Sequence, residues 1–145
     1  MFFSCDMENF PVVLIKFKGY IHTNNEFELF LKTWYDLYTL NENFILIFDT
    51  LEMELPHIKY SFKMAAFIKS LRKKNPQYLQ KSYIIIENRF IKSMLNFVFF
   101  IQPPVATVYL TNESLENVVE KVKNGSNNVE IVSTFQPKKP FIPFL

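Results

Sequence analysis

The run Phe44-Ile45-Leu46-Ile47-Phe48 is what most limits the shape this chain can take. Five consecutive apolar side chains in a strand alternate between the two faces of a sheet, so both faces must be covered, and helices are the usual cover. The run ends at Asp49-Thr50, passes through a polar loop at Leu51 to His57, and enters an apolar helical pattern from about Ile58. It is expected to be the central strand of an α/β domain.

Other segments arrange themselves around it. Pro11 to Lys18 starts as a solid apolar run and finishes in alternation, which suits a strand whose far end nears an exposed edge. Thr23 followed by Glu26 is a capping-box pattern, and behind it Phe27, Phe30, Leu31, Trp34, Leu37 and Tyr38 recur at helical spacing. Ser61, Met64, Ala65, Ile68 and Leu71 line a second helix, with Lys59, Lys63, Lys73 and Lys74 opposite, and Asn75-Pro76 follows it. Tyr83 to Ile86 predicts a third strand. Asn88 can cap a helix through Phe90 to Ile101 that is apolar nearly all round. Ala106 to Leu110 predicts a fourth strand, and Leu115, Val118, Val119 and Val122 a last helix capped by Thr111 or Asn112. Right-handed crossovers would fold this series into a mainly parallel sheet of four to five strands with helices packed on it. Residues 1–125 are expected to form one α/β domain. Residues 126–145 then add an edge strand at Val129 to Phe135 and a tail holding Pro137, Pro140 and Pro143.

Composition narrows the functional classes. With 145 residues, 49% hydrophobic and 17% aromatic, the chain has the material for a core and is far from the composition of disorder. Its 17 Phe, together with abundant Lys, Asn, Ile and Tyr, have the look of an AT-rich genome, which discounts part of the Phe excess. Net charge is only +2, and Arg72 and Arg89 are the arginines, so nucleic acid is an unlikely partner. A single Cys5, in an N-terminal stretch expected to fray, excludes an internal disulfide and suits a reduced compartment. Met1 to Phe10 lacks a basic signal-peptide start, and Met94 to Ile101, the densest apolar stretch, is far short of a membrane span. A cytoplasmic location is the expectation.

No catalytic constellation stands out. Gly19 and Gly125 are the only glycines, too few for the loops that cradle phosphates, so nucleotide cofactors are not expected. His22 and His57 lack metal-ligand spacing, and no serine sits in a nucleophile elbow. Asp49, at the expected carboxyl end of the central strand, could form a polar site with Glu52 or Glu54. The plainer reading is that Asp49-Thr50 turns the chain through side-chain to backbone hydrogen bonds. The lysine face could meet acidic lipid headgroups or an acidic protein, or simply be solvated. What remains is apolar surface. Phe97, Phe99 and Phe100 exceed what one buried helix face absorbs, and Phe141, Ile142, Phe144 and Leu145 make a compact apolar end. These seven residues are the candidates for contact with a protein partner or a second copy.

The order of elements from about Pro11 to Val122, with Ile47-Phe48-Asp49-Thr50 closing an Ile-rich strand, resembles the SpoIIAA-like fold shared by STAS domains and CRAL-TRIO domains. Asn75-Pro76-Gln77-Tyr78-Leu79 is similar to the Y-P-x-x-L of the lipid-binding CRAL-TRIO group, Ile84-Ile85-Ile86-Glu87-Asn88 to its next strand, and Phe90 to Ile101 to the helix after that. The length is closer to that of STAS domains. In place of their Asp-Ser-Ser/Gly-Gly run the loop reads Leu55-Pro56-His57-Ile58-Lys59-Tyr60-Ser61, without the phosphorylated serine. The resemblance therefore implies a non-enzymatic, STAS-like interaction module, a component of some larger assembly. Its alternative is a CRAL-TRIO-like peripheral lipid-binding protein.

Overall fold

A computed structural model describes residues 1–137. In chain order the elements are β1 (Phe3–Asp6), β2 (Val12–Gly19), α1 (Asn24–Leu37) with a 3-10 turn at Tyr38–Leu40, β3 (Phe44–Met53), α2 (Lys59–Leu71), β4 (Leu79–Ile85), α3 (Arg89–Ile101), β5 (Val108–Thr111), α4 (Leu115–Lys123) and β6 (Ser133–Phe135). The fold is α/β.

The six strands lie side by side in chain order, β1-β2-β3-β4-β5-β6. β2 to β5 are mutually parallel, but β1 pairs antiparallel with β2 and β6 antiparallel with β5. The sheet is thus mixed and six-stranded, which corrects the expectation of a mainly parallel sheet of four to five strands. The reason lies in the connections. Parallel neighbours need a long crossover, whereas the tight turn at Met7 to Pro11, held by Phe10 N to Met7 O (3.1 Å) and Val12 N to Asn9 O (2.9 Å), can join only an antiparallel pair.

Both faces of β3 are covered, as its unbroken apolar run requires. Phe44, Leu46 and Phe48 join the larger core with α1, α2 and α3, while Ile47 joins Val12, Tyr83 and Ile85 under Val118 and Val122 of α4. Successive crossovers of one hand carry α1, α2 and α3 to the same side of the sheet. The sheet is therefore heavily packed on one face and lightly on the other.

α1 follows its sequence closely. Thr23 Oγ1 accepts from Glu26 N at 3.2 Å and Glu26 Oε2 accepts from Thr23 N at 3.3 Å, and the buried residues are Phe27, Phe30, Leu31, Trp34 and Leu37. Their rings absorb much of the Phe excess. Phe17 stands 5.1 Å from Phe30 and 6.0 Å from Phe48, and Trp34 stands 5.3 Å from Phe48.

Several boundaries differ from expectation. The N-terminus does not fray but forms β1, because Phe2 and Phe3 bury their rings against Phe17 and Phe30. β3 continues through Asp49 to Met53, where a loop was expected, since β2 runs alongside and keeps its hydrogen bonds paired as far as Gly19. β2 ends at Gly19 with φ +73°, a backbone region that side chains resist. Ser114, not Thr111 or Asn112, caps α4 by accepting from Asn117 N at 3.3 Å. β6 is shorter than Val129 to Phe135, and Val129 itself is buried in the smaller core. Among the described residues, no helix is long and apolar enough to cross a membrane.

Candidate functional site

Asp49 and Glu52 come together on one strand, but around a lysine. Asp49 lies opposite Lys16 of β2 in the register, and an irregularity between Lys16 and Lys18 brings Glu52 Oε2 to 2.9 Å from Lys16 Nζ. The hydrogen bond between them, then their charges, raises the Lys16 pKa and lowers that of Glu52. Asp49 is only 3% exposed, and its Oδ1 accepts from Leu51 N at 3.0 Å. The side-chain to backbone bond of the plainer reading is present, though within a strand and not a loop. Glu54 lies beyond the strand end, its backbone N donating to Gly19 O at 2.9 Å. A carboxylate whose neighbour is already neutralised by Lys16 makes a poor acid–base pair.

His57 Nδ1 accepts from Lys59 N at 3.0 Å, closing a turn before α2. Among the described residues no three His, Cys, Asp or Glu side chains gather as metal ligands would. Cys5 is half-buried in β1, and burial, then Asp6, raises its thiol pKa, which keeps it in the unreactive thiol form. The lysine face is partly engaged: Lys63 Nζ lies 3.5 Å from Glu28, and Lys74 Nζ lies 2.8 Å from the Tyr35 hydroxyl and 4.0 Å over its ring.

The apolar surface divides more sharply. Phe99 turns inward onto the larger core and meets Phe135 of β6 at 4.7 Å, so it leaves the exposed set. Phe100 is 86% exposed, and Ile101 is exposed beside it. Phe97 is half-buried, and its ring stands edge-on to Phe62 of α2 at 5.5 Å. Ile58 and Phe90 are also exposed. Phe97, Phe100 and Ile101 fall at i, i+3 and i+4, and Ile58 and Phe62 at i and i+4, so each helix brings its own apolar stripe to the surface. Phe62 is the residue sequence reasoning missed. Its signal was present, a Phe set between Lys59 and Lys63 on a face otherwise read as polar. Phe141, Ile142, Phe144 and Leu145 lie outside the described residues.

Beneath the helices, between α1, α2, α3 and the sheet, is a cavity of about 100 Å³. Trp34, Phe48, Ile68, Ile84, Val98 and Phe99 are among its walls. A smaller pocket of about 30 Å³ lies behind several of the same side chains. The Trp34 indole N–H is buried without a hydrogen-bond partner among the described residues. No protein-family model, curated protein or solved structure matches the chain.

Proposed function

We propose that this chain is a non-enzymatic, STAS-like protein-interaction module, a component of a larger assembly, that makes contact through the outer face of α2 and α3. The observation that carries this reading is the exposed group Phe62, Phe100 and Ile101, with the half-buried Phe97 ring edge-on to Phe62 between them. Burying one Phe side chain from water contributes about 1.5–3 kcal/mol, and aromatic residues set in a polar rim are the usual anchors of protein interfaces. Lys59 and Lys63, three residues before Phe62 and one after it, can supply part of that rim. The SpoIIAA-like comparison is supported by the β-α order from β2 to α4, in which each strand lies beside the one before it.

Light scattering over a concentration series, with Phe62→Glu/Phe100→Glu as the comparison, tests the reading. The wild-type chain should associate with itself or with a co-purifying protein, and the double variant should remain alone with an unchanged melting temperature. A wild-type chain that is strictly monomeric and holds no partner counts against the proposal.

The second reading, a CRAL-TRIO-like peripheral lipid-binding protein, draws on the apolar cavity below the helices. It ranks lower because a diacyl lipid is many times larger than about 100 Å³. Native mass spectrometry of the purified chain should then show a co-purified lipid, and its absence removes this reading.

A further inference from the structure

The cavity beneath the helices has walls of nearly pure hydrocarbon. Among the described residues, its lining includes no carboxylate, lysine, arginine or histidine. Of its polar members, Thr50 spends its hydroxyl on Ile85 O at 2.7 Å and the Tyr60 hydroxyl donates to Asn24 Oδ1 at 3.0 Å, which leaves the Ser61 hydroxyl and the Trp34 indole N–H. A buried water needs two to four polar partners, and these two are the most the lining offers, so water is held weakly and an apolar molecule can displace it. An engineered dry cavity of about 150 Å³ with comparable walls takes up benzene. Charged molecules are disfavoured for a separate reason, since no charged group among the described lining residues could pair with them.

Access is also available. Met53, Met64 and Met94 are partly exposed and also line the cavity. Methionine is unbranched and adapts its rotamer at little cost, so these three can part without disturbing the sheet. We infer that this cavity is a binding site for a neutral, apolar molecule about one ring in size. The site is independent of the outer α2–α3 face, and the two can fail separately.

Trp34 is the one tryptophan of the chain and lies on the cavity wall, so its fluorescence reports occupancy directly. Benzene is the probe, with benzoate as the same ring carrying a charge and palmitate as a long chain. Titration with benzene should change Trp34 emission saturably and raise the melting temperature, while benzoate and palmitate do neither. Filling the space with Ser61→Leu should weaken the benzene response at least tenfold. Val98→Met, a milder filling, serves the same purpose if Ser61→Leu fails to fold. Phe62→Glu/Phe100→Glu should leave the response intact. The inference is overturned if the folded wild-type chain shows no saturable response up to the solubility of benzene. It is equally overturned if a folded, filled variant responds unchanged, or if palmitate binds more tightly than benzene.

Discussion

Trp34 has Phe30, Phe48 and Phe67 within 6.1 Å of its ring and is 7% exposed. Its replacement by alanine should cost about 3–5 kcal/mol in a denaturant titration, the range of large-to-small core changes. Trp34→Phe should cost much less than the alanine change, because the partnerless N–H is removed together with the lost ring area. Glu113 is held by two hydrogen bonds to its carboxylate. Its Oε1 accepts from Lys121 Nζ at 2.7 Å and its Oε2 from Glu130 N at 2.6 Å, and these bonds, the lysine's first, hold its pKa below the usual glutamate range. A carboxylate depressed in the folded state gives its full stabilisation above its unfolded pKa and loses it as pH falls through the folded value. Hydrogen exchange at the Glu130 amide should therefore quicken, relative to its intrinsic rate, as the solution is acidified through that window. In Glu113→Gln this acid-dependent step should disappear.

Caps and faces govern the helices. Thr23 and Asn88 each accept from backbone N–H groups at a helix start, Asn88 Oδ1 from Phe90 N at 2.7 Å. Alanine at either position should cost about 1 kcal/mol, measured as a shift in the denaturation midpoint. The outer side of α3 should behave in the opposite way. With its side chain 86% exposed, Phe100→Glu should alter stability by less than about 0.5 kcal/mol while weakening any association through that face. Val98, turned to the core at 2% exposure, should not tolerate the same change. Two positions two residues apart on one helix would then separate contact from stability.

At the scale of the whole molecule, β1 closes the aromatic core from the edge. Phe2 and Phe3 stand within 6.2 Å of Phe17 or Phe30, and Lys18 N donates to Phe2 O at 2.8 Å. Deleting residues 1–6 uncovers both the ring cluster and the hydrogen-bonding edge of β2. The loss of two buried Phe side chains alone should cost about 3–6 kcal/mol in a denaturant titration. A loss below about 1 kcal/mol would mean that β1 adds little to the core.

The sequence by itself determined what depends on local period and end chemistry. The two-sided burial of Phe44 to Phe48, the inward face of α1, the caps Thr23 and Asn88 and the β-α order were all legible, because each is written in neighbours a few residues apart. Tertiary structure decided what depends on distant partners. Phe2 and Phe3 look like a loose end until Phe17 and Phe30 are placed beside them. Asp49-Thr50 looks like a turn until β2 extends alongside and holds β3 straight to Met53. α3 is apolar on nearly every side, so period cannot separate inward Phe99 from outward Phe100; the position of β6, whose Phe135 meets Phe99, does that. The cavity was least legible of all. An unfilled volume belongs to no residue and arises only where three helices meet one sheet without closing the space between them.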